Sequence, residues 1–257
     1  MCDTCGCGDP SRPHAHTHGD GHVHEHAHES GGAAAGSAHG RTVSIEADVR
    51  ARNDAIAAAT RRTLKERGIA AINLISSPGS GKTTLLERTI GALKREIAFA
   101  VVEGDQQTDR DAARIAACGV PVVQINTVSS CHLDARQVSH AIEDLPLEKA
   151  RVLLIENVGN LVCPASFDLG EDFKAVLLSV AEGDDKPLKY PLAFHVAQVM
   201  VLTKIDLLPH VDFDVEKCAA YAKRVNPAIR VIKTSCRGEG DLGGWLDFVR
   251  NLAAGSP

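Results

Sequence analysis

No apolar run in this chain of 257 residues approaches the ~20 residues that cross a bilayer. A membrane-spanning protein is therefore not expected. Positive charge is not in excess either, with 28 Lys and Arg against 33 Asp and Glu and a net charge of −5. A nucleic-acid binder ordinarily shows a basic face, so that class is set aside. No internal repeat is visible, which excludes solenoid and propeller architectures. The first residues are polar and do not read as a secretory signal. Eight cysteines in a chain of this length do not resemble a disulfide framework, and free thiols in a reducing cytoplasm are the expectation. What is present is a globular composition, 44% hydrophobic and 24% charged, long enough for one good core.

The residues that are plentiful stand at the start. Cys2, Cys5 and Cys7 are followed by His14, His16, His18, His22, His24, His26 and His28. Thiolate and imidazole are the side chains that late first-row divalent metals prefer. In Cys2-Asp3-Thr4-Cys5-Gly6-Cys7 the thiolates are close enough to converge on one ion, and Gly6 permits the tight turn. If Met1 is removed, the free amine of Cys2 supplies a fourth donor, and a square-planar S₃N set favours Ni²⁺ over Zn²⁺. The histidines recur mostly at every second position, a pattern suited to loose buffering of several ions. Residues 1–28 lack the apolar content to bury a core, and 29–40 are rich in Gly and Ala. Residues 1–40 are thus expected to be a disordered metal-binding tail with its linker, ahead of a domain at 41–257. Ser44 is a plausible helix N-cap, with Ile45, Val49 and Ile56 marking one face of a helix that ends at Gly68.

Beyond Gly68 strand and helix patterns alternate. Strands are expected at 70–76, 97–103, 121–126, 151–156, 175–181, 198–203 and 229–234, and helices at 82–95, 109–118, 132–144, 214–225 and 241–253. Near-continuous apolar strands such as Val152-Leu153-Leu154-Ile155 call for burial on both faces. The fold class is α/β: a mostly parallel sheet of about seven strands with helices on both faces, of the P-loop NTPase type.

The first strand runs into Ser76-Ser77-Pro78-Gly79-Ser80-Gly81-Lys82-Thr83-Thr84 and then a helix. Small residues there let backbone N–H groups wrap phosphate, Lys82 reaches the β- and γ-phosphates, and the Thr83 hydroxyl ligates Mg²⁺. Ser76 stands where such loops usually begin with Gly. Thr203-Lys204-Ile205-Asp206 closes an apolar strand and resembles the base-reading motif of GTPases. There the Asp206 carboxylate accepts from guanine N1 and N2, and adenine would leave it unpaired. Thr234-Ser235-Cys236 resembles the segment that backs guanine O6. Asp105, Asp109 and Asp111 follow the second strand, where a first switch is expected, and Glu156 ends the fourth, where an acid holds Mg²⁺ directly or through water.

A second metal candidate lies inside the domain. Cys131-His132 follows the third strand and Cys163-Pro164 the fourth. Loops at the carboxyl ends of neighbouring parallel strands come together, so Cys131, His132 and Cys163 can meet. Cys118, Cys218 and Cys236 have no such company, His195 and His210 are not expected to ligate, and His140 is an accessory candidate.

Taken together these segments resemble the HypB family, the nickel-incorporation GTPases of nickel–iron hydrogenase maturation, of the SIMIBI class. The resemblance rests on the cysteine head, Ser77 to Thr84, Gly104-Asp105-Gln106-Gln107, Cys131 to Ala135, Glu156 to Pro164, Glu182 to Pro187 and Thr203 to Pro209. It implies a slow GTPase that uses GTP/GDP and Mg²⁺ and handles Ni²⁺ and Zn²⁺. It also implies a GTP-dependent homodimer with Cys131, His132 and Cys163 at its interface. In the family pattern Asp111 and Glu156 lie near Mg²⁺ and Lys189 reaches the partner's nucleotide. The partners implied are a HypA-like nickel chaperone and the hydrogenase large-subunit precursor. Thr203 stands where Asn is common, Arg136 where some members carry a ligand histidine, and many relatives lack either the cysteine head or the histidine tract. Two alternatives are a urease-type nickel GTPase, whose Cys-Pro-His is here Cys163-Pro164-Ala165, and a passive nickel or zinc store.

Overall fold

The computed structural model describes residues 14–17, 23–26 and 37–255, except 106–109, 128–130 and 238–240. Met1–Glu46 and Ala47–Pro257 form two compact units. In the first, β1 (His14–Thr17) and β2 (Val23–His26) pair antiparallel, with His14 opposite His26 and His16 opposite His24. Two short strands alone are marginally stable in water. Cys2, Cys5, Cys7, His18, His22 and His28 lie outside the described residues.

Helix α1 spans Ser37–Glu66, beginning before Ser44 and covering part of the expected linker. Its inward stripe is Asn53, Ala57, Thr60 and Leu64, all buried, whereas Val49 is 54% exposed. The face marked by Val49 is therefore not the buried one. Small and polar residues carry the contact instead, because the chain beneath approaches too closely for large side chains. Gly170, at φ +90°, has no room for a Cβ, which would lie 2.8 Å from the Ala57 carbonyl oxygen.

The remaining elements follow in order: β3 (Ala70–Ser76), α2 (Lys82–Leu93), β4 (Phe99–Asp105), α3 (Arg110–Ala117), β5 (Val122–Asn126), α4 (Ala135–Glu143) and β6 (Val152–Gly159). Then come β7 (Phe173–Ser179), α5 (Lys186–Lys189), α6 (Pro191–Val196), β8 (Val199–Thr203), α7 (Val215–Val225), β9 (Arg230–Lys233) and α8 (Gly243–Ala253). The seven strands β3–β9 form one sheet in the order β5-β4-β6-β3-β7-β8-β9, every pair parallel.

Both faces of the sheet are buried, as its apolar strands require. Ile72 and Leu74 of β3 pack on Leu85, Ile90, Trp245 and Phe248 from α2 and α8. Ala71 and Leu153 face the other way, onto Leu64 of α1 and Val138 of α4. This alternation is the period-two geometry of a strand. The buried Trp245 Nε1–H donates to Thr89 Oγ1 at 2.8 Å, so its polar edge is satisfied.

Some boundaries differ from expectation in ways that matter for the site. β6 continues to Gly159, so Glu156 lies within the strand rather than at its end. α4 begins at Ala135 because Asp134 makes a capping box with Gln137, accepting from its N–H at 2.7 Å. His132 is therefore in the loop ahead of the helix. The short α5 and α6 each carry a proline in their first turn, where it is tolerated because its missing N–H has no helical partner.

Candidate nucleotide and metal sites

The loop between β3 and α2 places Gly79 and Gly81 at φ +75° and +94°, a region open to glycine and costly to most other residues. Gly81 delivers the chain into α2 with the first N–H groups unpaired, the arrangement that receives an anion. Lys82 is buried, and its Nζ donates to Ser76 Oγ at 3.0 Å. The serine that replaces the usual glycine thus holds the lysine. Burial pulls the Lys82 pKa down, opposed chiefly by Glu156.

Thr83 Oγ1 donates to Glu156 Oε1 at 2.7 Å. The other oxygen, Oε2, is buried without a hydrogen-bond partner. Burial pushes this carboxyl up to about 7, opposed by Lys82 and the Thr83 hydroxyl. Glu103 stands beside it in register on β4, 2% exposed. These groups, with Asp111, Arg114 and Lys204, line a cleft of about 420 Å³. A buried carboxylate with an open oxygen beside a hydroxyl, among further acids, fits a hard divalent cation such as Mg²⁺.

Asp111 lies in the first turn of α3 and pairs with Arg114 Nη1 at 3.0 Å, while Arg114 Nη2 reaches Glu87 Oε2 at 2.5 Å. Asp105 is the last residue of β4, and Asp109 lies outside the described residues. Sequence reasoning missed both Glu103 and Arg114. The signal for Glu103 was a lone acid in Phe99-Ala100-Val101-Val102-Glu103.

The candidate base-reading segment is bolted to the phosphate loop. Thr203 Oγ1 donates to the Ser80 carbonyl at 2.7 Å and Lys204 Nζ to that of Gly79 at 2.7 Å. Lys204 takes a left-handed conformation, φ +59°, to do so. Ser235 Oγ donates to Asp206 Oδ1 at 2.5 Å, fixing that carboxylate. Burial raises the Cys236 thiol pKa. Glu182, which the sequence marked only as the start of a family-like segment, accepts from Ser80 Oγ at 2.6 Å and from Ser179 N–H at 3.0 Å. Thr84 Oγ1 accepts from Arg114 Nη2 at 3.3 Å. Lys189 is not among the residues that line the cleft; it is 61% exposed and paired with Asp185 at 2.7 Å.

Cys131, His132 and Cys163 do come together, each offering a ligand atom within 4.8 Å of the others. Cys131 Sγ lies 3.6 Å from His132 Nδ1, and the Phe167 ring stacks on the imidazole at 3.9 Å. All three are half-buried. The hydrogen bond with Cys131 raises the Cys163 pKa, burial adding to it, and burial lowers that of His132. Two thiols and one imidazole suit Ni²⁺ or Zn²⁺. His140 is not in the group. The ligand loops have inner supports. Asn157 Oδ1 accepts from Leu133 N–H at 3.2 Å, and the buried Lys174 Nζ donates to the Phe167 carbonyl at 2.8 Å.

Residues 70–233 match the CobW/HypB/UreG nucleotide-binding domain family. The chain is 56% identical over 216 residues to the hydrogenase maturation factor HypB of Azotobacter chroococcum mcd 1, covering 84% of this chain and 71% of the relative. To HypB of Escherichia coli K12 it is 50% identical over 220 residues, covering 86% and 76%. Among solved structures, HypB from Helicobacter pylori in complex with nickel superposes with a TM-score of 0.76 at 39% identity, covering 79% of this chain and 96% of that one. HypB from Archaeoglobus fulgidus gives 0.74 at 39% identity, covering 79% and 99%. Matches of this extent mean that the chain, with its phosphate loop, tethered candidate base-reading segment and Cys-His-Cys cluster on one parallel sheet, belongs to the HypB family of hydrogenase maturation factors.

Proposed function

We propose that the protein is a GTP-hydrolysing nickel chaperone in which the nucleotide controls the metal held by Cys131, His132 and Cys163. The observation that carries this reading is the pair of neighbours Glu156 and Asn157. Glu156 bonds Thr83 of the phosphate loop at 2.7 Å, and Asn157 bonds Leu133, next to His132, at 3.2 Å. A displacement of β6 by the nucleotide is felt at the metal loop. Coupling of this kind is reciprocal, so nickel also changes nucleotide affinity.

In the working state Lys82 leaves Ser76 for the β- and γ-phosphates of GTP. The N–H groups of Gly79 to Thr84 wrap the phosphates, and Asp206 accepts from guanine N1–H and the 2-amino group, with Thr203, Lys204, Ser235 and Cys236 completing the base pocket. Thr83 and Glu156, with Asp111 and Asp105, would hold Mg²⁺, which neutralises charge developing on the phosphates. Attack of water on the γ-phosphorus breaks the bond to the bridging oxygen and leaves GDP and phosphate. Arg114 is engaged by Glu87 and Asp111, so it is not poised as an arginine finger, and turnover is slow, ~10⁻³ s⁻¹.

Nickel is cargo. Cys2, Cys5 and Cys7 in the 1–40 tail capture it, and the histidines from His14 to His28 buffer it. The nickel complex of the Helicobacter pylori relative supports nickel as the ion, with Zn²⁺ as a competitor for the same donors. Two copies joined by GTP bring two Cys131/His132/Cys163 sets together, Lys189 of each reaching the other's nucleotide. Release serves the hydrogenase large-subunit precursor in the cytoplasm, with a HypA-like chaperone as partner. The test is GTP turnover with Lys82→Ala beside the parent. Loss of turnover with nickel retained on the Cys2/Cys5/Cys7 head supports two separable sites; turnover at the parent rate refutes the phosphate-loop reading.

A further inference from the structure

Helix α1 precedes the family-matched span 70–233, yet one of its side chains reaches both loops that carry the candidate metal ligands. Asn53 is 7% exposed. Its Oδ1 accepts from the Ala135 N–H at 2.9 Å, at the end of the Cys131–His132 loop. Its Nδ2 donates to the Asp168 carbonyl at 2.8 Å, in the loop that follows Cys163. A short amide offers a strong donor and a strong acceptor from one arm. An apolar residue would lose both bonds, and a carboxylate would keep only the bond from Ala135.

The contact is built rather than incidental. An inward helix position facing the Leu64 cluster invites an apolar residue, and a buried amide is tolerated there because both ends are satisfied. The Cys163 side is also pressed onto α1 independently of Asn53. Gly170 leaves no space for a Cβ against Ala57, and Arg61 holds Asp168 Oδ1 at 2.5 Å and the Glu171 carbonyl at 3.1 Å. Lys174, which grips the Phe167 carbonyl, pairs with Glu171 at 3.3 Å. Phe167 in turn stacks on His132. Both ligand loops are therefore tied to α1, and Asn53 bonds each of them.

We propose that Asn53 is a positioning residue for the Cys131–His132–Cys163 site: it sets the separation of the two ligand loops, and so the affinity and ligand geometry of the bound ion, without touching it. The inference rests on the reading of that trio as a nickel site. Outer contacts of this sort, when removed, weaken metal binding by about 10–100-fold, and the effect of one that acts through backbone falls at the lower end.

The test uses the full chain with Cys2, Cys5 and Cys7 changed to Ala, so that head thiols do not contribute. Ni²⁺ binding is read by thiolate-to-nickel charge-transfer absorption in competition with a chelator. Four variants are compared in that background: Cys131→Ala, Asn53→Ala, Asn53→Asp and Leu64→Ala. Leu64 lies on the same face of α1 and is 1% exposed, so its truncation loosens the helix while leaving the two Asn53 bonds in place. Asn53→Ala is expected to weaken nickel about tenfold and to shift the charge-transfer bands. Asn53→Asp weakens it too, having lost the bond to Asp168. Leu64→Ala lowers Tm but keeps parent nickel affinity and spectrum. Parent affinity and spectrum in a folded Asn53→Ala or Asn53→Asp protein overturns the inference. So does an equal loss of nickel in Leu64→Ala, which assigns Asn53 a merely structural part. Unchanged nickel in Cys131→Ala sinks the metal-site reading itself, a different failure.

Discussion

The hydroxyl of Thr83 donates to Glu156 across 2.7 Å and leaves the second oxygen of that carboxylate buried and unpartnered. Thr83 follows the lysine of the phosphate loop, and Glu156 lies on the adjacent strand β6. A carboxyl in this position is suspended between two states, protonated when alone and ionised when a cation arrives.

That suspension has a measurable pH dependence. Glu156 rises from 4.5 to about 7 on folding because burial disfavours its charge. The folded state therefore binds its proton more tightly than the unfolded state. This contribution to stability is complete below pH 4.5 and is lost as pH rises through about 7. The difference between the limits is on the order of 3 kcal/mol. Nucleotide-free wild type should lose Tm between pH 5 and 8 relative to Glu156→Gln, whose amide does not titrate. Parallel Tm profiles for the two proteins would refute the assignment. The same variant should turn over GTP about a hundredfold more slowly.

Base selection provides a second handle. Ser235 fixes Asp206 at 2.5 Å, and in the proposed base pocket that carboxylate would present acceptors to guanine. Asp206→Asn replaces an acceptor by a donor that clashes with the guanine 2-amino group and suits the 2-oxo group of xanthine. GTP affinity should fall by roughly a hundredfold or more while XTP affinity rises, measured by competition with a fluorescent nucleotide. Equal losses for both nucleotides would place Asp206 outside the base pocket.

The thiols should separate by environment. Burial pushes Cys218 up to about 12, which leaves almost no thiolate near neutrality. In the folded protein with Cys2, Cys5 and Cys7 changed to Ala, Cys218 should resist alkylation, whereas the half-buried Cys131 and Cys163 react and are shielded by stoichiometric Ni²⁺. Peptide mass spectrometry after timed iodoacetamide treatment reads all three. Nickel that leaves Cys131 and Cys163 as reactive as before would contradict their role as ligands.

Features written in contiguous residues were legible before any coordinates. The phosphate loop, the Thr203–Asp206 segment and the apolar parallel strands all fall in this class, because local backbone demands and burial on both faces leave a compositional mark. Cys131, His132 and Cys163 do meet, but not as loops of neighbouring strands, since β4 lies between β5 and β6; the family resemblance, more than strand geometry, pointed to the trio. Features that depend on close approach were not legible. α1 turns Asn53, Ala57 and Thr60 inward and leaves Val49 in solvent, so hydrophobic spacing pointed to the wrong face. The cap at Asp134 moved His132 off the expected helix, and Ser76 acquired its part only through Lys82, six positions along the chain.

The most direct measurement is the Ni²⁺ affinity of the full chain, with Cys2, Cys5 and Cys7 replaced by Ala, in nucleotide-free, GDP and GTP-analogue states. A nucleotide-controlled site predicts affinities that differ between the GDP and GTP-analogue states by about 5–150-fold, with the difference abolished by Cys131→Ala or Cys163→Ala. One nickel affinity across all three states would contradict nucleotide control of the metal.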